Sequence, residues 1–537
     1  MSEEELPEGW AETRLDDLNS PGAPICYGVL KPGAVTPNGV PMLRVKDVRN
    51  GRVDTSDLLM ISKSLDEEFE RSRLSGGDVV ISVQGSVGRV AVVPSELAGA
   101  NVSRTLARIR PIDDGLTAWT ALALAAPPAQ TAMGGMIGGS TRDSLNIRDL
   151  RELPICVPPL AEQRRIVEKV EALLAQVNAA RTRLAKVPTI LKRFRQSILS
   201  AACSGRLTED WRRGNPGAGT GAMFLSSLQD ARRQLFEARN DRPRRTAYVV
   251  PALRDVQDLP ELPPEWTWST AEQICDFITK GTTPAADKMT PKGGVPFIKI
   301  QHLTERGILN FEVAPVFIDK ATHQSGPMRR SQIVPGDVLM NIVGPPLGQT
   351  AVVPDSYPEW NTNQAVAILR PIPGLSTKYL ALMATCGSVL SWAISRAKAT
   401  VGQFNLTLEL VRALPIPLPG VDEQHEIVRR VDALFKLADT IEARVAVATA
   451  RADKITQAIL AKAFRGELVP TEAELARQES RDYEPASALL ARIRTARAAD
   501  EAASKPAHRP RAPAATPAPA RAKPARKKTN GRTARSR

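Results

Sequence analysis

The chain is short of most things that chemistry on a substrate requires. Its 537 residues include only four histidines and five cysteines, Cys26, Cys156, Cys203, Cys275 and Cys386. The cysteines are scattered, odd in number and form no Cys-x-x-Cys pair. This argues against a zinc ribbon or a disulfide framework and for reduced thiols in a cytoplasmic protein. There is no HExxH, no His/Cys cluster and no G-x-x-x-x-G-K-[ST] loop for a nucleotide phosphate. No Asn/Asp-Pro-Pro-aromatic sequence is available to hold an amine for methylation. No carboxylate-plus-lysine set suggests a nuclease. One glycine cluster, GAGTG at 217–221, resembles a nucleotide loop. It follows Asn215-Pro216 with no strand before it, and it reads as a flexible linker. Long apolar runs are missing too. The run around residues 121–126 is far too short to span a bilayer, and the opening MSEEELPEGW is acidic, unlike a signal peptide.

Positive charge is present but unevenly placed. Of the net +14, eleven charges lie between Ala502 and Arg537, which carry no acid, so the remainder is near +3. The body is only mildly basic, and bulk charge alone supports DNA binding weakly. The last stretch, KPAHRPRAPAATPAPARAKPARKKTNGRTARSR, has a composition that buries no core and is expected to be disordered. A short helix, EPASALLARIRTARA, is expected ahead of it.

What the chain does contain, it contains twice. Residues 160–207 align with residues 421–468 at an offset of 261 without a gap. Glu162-Gln163 answers Glu423-Gln424, and Gln196, Ile198, Leu199, Ala202, Gly205 and Leu207 answer Gln457, Ile459, Leu460, Ala463, Gly466 and Leu468. Repeats are sought first because they set the architecture. Each copy carries a heptad stripe. The first runs through Ile166, Val170, Leu173, Val177, Ala180, Leu184, Val187, Leu191, Phe194 and Ile198. The second runs through Ile427, Val431, Leu434, Ala438, Ile441, Val445, Ala448, Ala452, Ile455 and Ile459. Alternating spacings of four and three over four heptads mark a coiled-coil seam. Each helix would be roughly 60–65 Å long, and two of equal length most simply pair with each other. Gly205 and Gly466 sit where helix C-caps belong. Pro188 should kink or break the first helix near Val187.

The stretches before each helix also correspond. LPEGW near the start is answered by LPPEW. GDVVISVQGSVGRVAVVP at 77–94 is answered by GDVLMNIVGPPLGQTAVVP at 336–354, NVSRTLARIRPI by NTNQAVAILRPI, and LNIRDLRELPICVPP by FNLTLELVRALPIPLP. Strand-like runs are punctuated by turns. The expected plan is a first domain at 1–159, a helix at 160–207, a connector with one helix at 208–261, a second domain at 262–419, a helix at 420–468, and a basic, largely disordered tail at 469–537. Residues 22–70 and 281–330 share little, as expected if one scaffold reads two different targets.

These motifs together resemble a type I restriction–modification specificity subunit over about residues 6–470. The resemblance implies an α+β protein in which two similar mixed target-recognition domains are joined by two long helices. The helices form an antiparallel coiled coil with a pseudo-two-fold arrangement. It further implies that each domain reads one half of a bipartite site in double-stranded DNA. The coiled coil would act as spacer and dock two adenine-methylating modification subunits, and motor-endonuclease subunits join that core. The subunit itself is noncatalytic, with S-adenosylmethionine, ATP and Mg belonging to its partners, and no membrane is involved. Two domains on a rigid rod suit half-sites about one helical turn, roughly 34 Å, apart. The rival readings are a scaffold whose domains bind protein surfaces, and a self-contained restriction–methylation enzyme, for which catalytic domains are lacking.

Phosphate contacts need Lys, Arg or small polar groups, and base readout needs side chains with bidentate geometry. In the first domain the candidates are Arg44, Lys46, Gln84, Ser86, Arg89, Arg104, Thr141 and Arg142. In the second they are Lys280, Thr282, Thr283, Lys299, Gln301, Asn341, Gln349, Lys398, Thr400 and Gln403. Gly134, Gly135, Gly138 and Gly139 are expected to shape a recognition loop, matched in the second copy by the stretch from Thr400 to Gln403. The basic tail is expected to add nonspecific, salt-screened attraction for DNA. Deleting residues 502–537 should therefore reduce the slope of log affinity against log salt. An unchanged slope in filter binding or anisotropy titrations would reject that role.

Overall fold

Both copies of the repeat become long helices, and proline and glycine decide where they are interrupted. The computed structural model describes residues 6–49, 51–138, 143–239, 248–252, 259–304, 307–400 and 403–504. The second copy is a single helix, Val421–Phe464, of 44 residues, or about 66 Å at the α-helical rise. The first is two helices, Leu160–Leu184 and Val187–Cys203. Pro188 stands in the first turn of the latter, where a missing N–H costs nothing. In a continuous helix its ring would meet the carbonyl of Leu184. Lys186 keeps helical angles (φ −81°, ψ −23°), so the run expected as one helix is divided by only two residues. Gly205 and Gly466 end the copies at left-handed φ of 73° and 69°.

The chain forms two compact units, one from residues up to 177 together with those from 454 onward, the other from residues 178–453. In the second unit the long helices run antiparallel. Arg181 pairs with Asp453 at 2.7 Å, Arg195 with Asp439 at 2.7 Å and Glu442 at 3.0 Å, and Arg430 with Asp210 at 2.6 Å. Partners therefore descend along one helix as they ascend along the other. Leu191, Ile198, Ile427 and Val431 are buried there. In the first unit Ile166 and Val170 share a core with Leu460 and Ala463. Leu173, Val177, Leu184, Phe194, Leu434, Ile441, Val445 and Ile459 are half-buried. Two expected seam positions lie outside the seam: Ala180 is exposed, and Ile455 is 40% exposed. A helix of 3.6 residues per turn drifts against a strict heptad, and the stripe passes from Ala452 to Leu460 and Ala463 without Ile455.

Each unit contains a four-stranded antiparallel sheet with a core on both faces. In the first unit the spatial order is Cys26–Tyr27, Leu106–Ile109, Val79–Ser82, Val90–Val92. Side chains alternate across a strand, so Val79 and Ile81 enter one core with Trp119 and Ile166, and Val80 enters another with Leu43, Val48 and Val102. The second unit repeats this with Cys275–Lys280, Val366–Pro371, Val338–Asn341 and Thr350–Val352. Val338 and Met340 face the core containing Ile427, and Leu339 faces the one containing Ile298 and Trp360. One face is thus closed by helices. The other carries a smaller sheet, whose loops hold Arg44, Lys46, Arg104, Lys299 and Gln301.

The repeated Glu-Gln pair explains the repeated tryptophan. Glu162 accepts from Trp10 Nε1 at 2.9 Å and from the backbone N–H of Glu472 at 2.8 Å. Glu423 accepts from Trp266 Nε1 at 2.9 Å, from the Thr208 hydroxyl at 2.6 Å, and from Arg212. Burial pushes the Glu162 carboxyl up against the opposing pull of its donors. Trp10 meets Trp119 edge-on at 5.8 Å, and Trp119 stacks on Phe464 at 4.9 Å.

Each long helix is followed by a helix that covers the neighbouring domain. Gly221–Arg239 adds Leu228 to the second unit's core. Ala486–Ser504 adds Ala486, Leu489, Leu490 and Ile493 to the first. The stretch expected to be tail from 469 thus begins with structure, including the helix Glu472–Glu479. Residues 505–537 lie outside the described residues. The GAGTG segment, expected to be a flexible linker, is also seated: a Cβ on Gly221 would stand 1.8 Å from the Leu418 carbonyl oxygen. Glu423→Ala would strand the 12%-exposed side chain of Arg212 and should cost about 3–5 kcal/mol. Hydrogen exchange should accelerate around Trp266 and Thr208 while protection around Trp10 is kept.

Candidate nucleic-acid interface

The candidate surface begins where a short strand ends. Val40–Leu43 lies parallel to Asn101–Val102 and antiparallel to Leu59–Ile61. It leads into a single turn, Val45–Asp47. Asp47 is 4% exposed and accepts the Arg44 backbone N–H at 2.8 Å. The same carboxylate takes the Arg44 guanidinium at 3.1 and 3.3 Å. Arg44, a candidate DNA contact, is therefore also a brace of the turn. The turn's other face presents Lys46 and Arg49, both exposed.

Lys46 and Arg49 meet Arg89, from the loop between two strands of the main sheet, around one groove. Its volume is about 580 Å³, and its lining is Lys46, Val48, Arg49, Gly51, Arg89 and Val90. Three cations and no acid line it. Arg49 is aimed by a bond from Nε to the Lys46 carbonyl at 2.8 Å. Lys46 Nζ also lies 2.5 Å from the Asp57 carboxylate, which it holds below the usual carboxylate range. Asp57 is 80% exposed, so solvent screens the pair and it contributes little. Loss of that partner would therefore cost Lys46 little. Arg49 escaped the sequence reading, although Lys46, Arg49 and Arg52 recur every third residue in a turn-rich stretch.

The sheet loop is held by one polar side chain in each unit. Ser82 is buried; its hydroxyl donates to the Ser86 carbonyl at 2.5 Å and accepts the Arg89 N–H at 2.8 Å. In the second unit Asn341 has that place. It is fully buried, its amide donates to the Pro346 carbonyl at 2.7 Å, and its oxygen accepts the Val343 N–H at 3.1 Å. Asn341, a candidate DNA contact, is accordingly a brace of the loop. Ser86 is exposed, while Gln84 and Gln349 are half-buried.

The remaining candidates are more dispersed. Arg104 is exposed, its backbone N–H bonded to the Val29 carbonyl at 2.8 Å. Lys280 is exposed at the end of its strand. Thr282 accepts from Arg330 at 3.2 Å, and Thr283 donates to Gln364. Lys299 is half-buried and Gln301 exposed, on the turn Ile300–His302. His302 Nδ1 accepts the Lys299 N–H at 3.0 Å, and burial lowers the affinity of its imidazole for protons. Lys398, Thr400 and Gln403 belong to the hairpin Lys398–Thr400 with Gln403–Asn405, their side chains lying outside the described residues. Thr141, Arg142 and Gly139 also lie outside them. Gly134 and Gly135, expected in a loop, end the helix Pro127–Met136. The helix starts on paired prolines and is anchored by buried Ala129 and Met133. Gly138 pairs with Ser144, which pairs with Gln84.

Among the described residues no group of three or more His, Cys, Asp or Glu is placed to hold a metal. Nor is any helix among them long and apolar enough to cross a membrane.

Comparison with known proteins gives one answer. A family model described as the type I restriction modification DNA specificity domain matches residues 7–189 and again 263–447. The specificity subunit of type I restriction enzyme EcoKI from Escherichia coli K12 is 28% identical over 525 residues, covering 93% of this chain and 98% of that protein. The EcoBI specificity subunit of Escherichia coli is 29% identical over 473 residues, covering 86% and 87%. In fold, the chain is similar to one from a structural study of assembly and conformational transition in the type I R-M system. The TM-score is 0.59 at 21% identity, with 86% of this chain and 99% of that chain covered.

The two loop braces and the groove cations should separate in experiment. Asn341→Ala removes the three bonds made by its side-chain amide and should lower stability by about 2 kcal/mol, read by urea unfolding. Arg89→Ala should leave the unfolding midpoint unchanged and weaken DNA binding by a similar factor on all sequences.

Proposed function

Because this chain belongs to the type I restriction–modification DNA specificity subunit family, we propose that it reads a bipartite, asymmetric DNA site, one half with each recognition domain. The readers are the domains at 1–159 and 262–419. The observation that carries the reading is one buried frame built twice, with divergent loops on the outer sheet face. In the first copy those loops converge on a groove of about 580 Å³ with three cations. The long helices set the distance between half-sites and offer docking surface to two methyltransferase subunits. Restriction subunits join through the complex, and S-adenosylmethionine, ATP and Mg serve those partners. The chain itself is noncatalytic. We propose that this work is done in the cytoplasm.

The test is methylation sequencing of DNA from cells that express this chain with its methyltransferase subunit. In a parallel strain, residues 262–419 are replaced by another family member's second domain. A bipartite adenine-methylated motif should appear, and only one half should change on replacement. An active, assembled complex that methylates without any motif would overturn the reading and leave a scaffold role.

A further inference from the structure

The two recognition domains can be compared position by position, because the same bonds recur. The strand Val295–Ile298 lies parallel to Asn361–Thr362, as Val40–Leu43 does to Asn101–Val102. Asp54 N–H donates to the Asp47 carbonyl at 2.7 Å, and Asn310 N–H to the His302 carbonyl at 2.8 Å. Gly88 N–H donates to the Ser82 carbonyl at 2.9 Å, and Gly348 N–H to the Asn341 carbonyl at 2.9 Å. These bonds fix the correspondences. Lys46 stands where the second domain has Gln301, and Arg89 where it has Gln349. Asn101 and Asn361 each accept the N–H of the next residue at 2.9 Å. Arg104 therefore stands where the second domain has Gln364, both exposed.

At all three places a cation is replaced by glutamine. The remaining groove cation, Arg49, corresponds to Thr304, whose hydroxyl donates to the Ile308 carbonyl at 2.9 Å. The chemistry of the two side-chain types differs sharply at DNA. A lysine or arginine near the backbone neutralises phosphate and releases counterions, whatever the sequence. A glutamine amide releases no counterion. It pairs with base edges, and its donor and acceptor match adenine N7 and N6 in the major groove.

We infer that the two domains hold DNA by different physics: the first through phosphate charge at Lys46, Arg49, Arg89 and Arg104, the second through uncharged amide readout of bases at Gln301, Gln349 and Gln364. This rests on the reading that both domains bind DNA. The site is then unequal in energy as well as in sequence. At these positions the first half supplies salt-dependent grip, and the second supplies selectivity with little salt dependence.

The test uses the full chain assembled with its methyltransferase subunits, on a duplex carrying the motif found by methylation sequencing and on a scrambled duplex. In the triple variant K46Q/R89Q/R104Q the slope of log affinity against log salt should fall by about 2–3. The ratio of wild-type to variant affinity should then shrink by about 40-fold between 50 and 200 mM salt. R89Q alone, on an exposed side chain, should lower the slope by about 1 and guards against misfolding of the triple variant. Q301A/Q349A/Q364A should keep the wild-type slope and relax the second half of the methylated motif. An unchanged slope in R89Q and the triple variant, with specific binding intact, would overturn the inference and leave the DNA reading standing. So would a glutamine variant that alters slope without altering the motif. Equal affinity of the wild-type complex for both duplexes would remove the DNA reading itself.

Discussion

A buried carboxylate at the head of each long helix ties together three stretches of chain that are far apart in sequence. Glu162 joins the first domain's opening tryptophan to the start of the segment at 472. Glu423 joins Trp266 to Thr208 and Arg212. A carboxylate removed from water is costly unless its lone pairs are filled, so each glutamate admits one arrangement of domain, helix and following segment. The adjoining glutamine adds to the constraint: Gln163 and Gln424 each donate to a proline carbonyl just ahead of the helix, at 2.8 and 3.2 Å. Helix direction relative to its own domain is thereby set by polar satisfaction, which apolar packing alone specifies poorly.

From this anchor the division of labour within a domain follows. The main sheet turns one face to the long helix and the other to a smaller sheet, and its central strand is buried on both sides. Ion pairs with buried carboxylates at equivalent places, Arg110 with Asp78 and Arg370 with Asp337, both at 2.7 Å, close the strand ends. With the frame fixed by these interactions, the outer loops are free to differ. Change is tolerated there because few frame interactions pass through the exposed side chains of the loops.

Much of this was legible in the sequence, and the failures have physical causes. Apolar periodicity located the helices because burial of Ile166, Val170, Ile427 and Val431 demands it. It misplaced Ile455, since a heptad ruler laid on a 3.6-residue helix slips by a position. Pro188 marked the interruption, though only backbone geometry shows that it divides the helix. Side-chain type alone could not separate readers from braces. Asn341 and Arg44 have the donors that DNA contacts need, and the fold spends those donors on its own carbonyls and on Asp47. Gly134 and Gly135 look like loop residues until Ala129 and Met133 are seen to hold their helix to the core. The Trp10 and Trp266 motifs were visible as repeats, but their carboxylate partners lie 152 and 157 residues away in the chain, a separation that local pattern does not reach.

The discontinuity of the first unit has a consequence for the order in which the molecule is made. The second unit is a continuous stretch, 178–453, nested inside the first. On the ribosome its chain is complete once residue 453 has emerged. The first unit, begun earlier, still lacks Leu460, Ala463 and the residues from Ala486 to Ile493 that fill its core. Domains otherwise tend to fold in order from the N-terminus; here the N-terminal one finishes last. Until then its apolar surface and the buried Glu162 are without their final partners. A chain cut short by a nonsense codon before that point would leave a complete second reader beside an unfinished first one, a form that cellular proteases can distinguish from the finished protein.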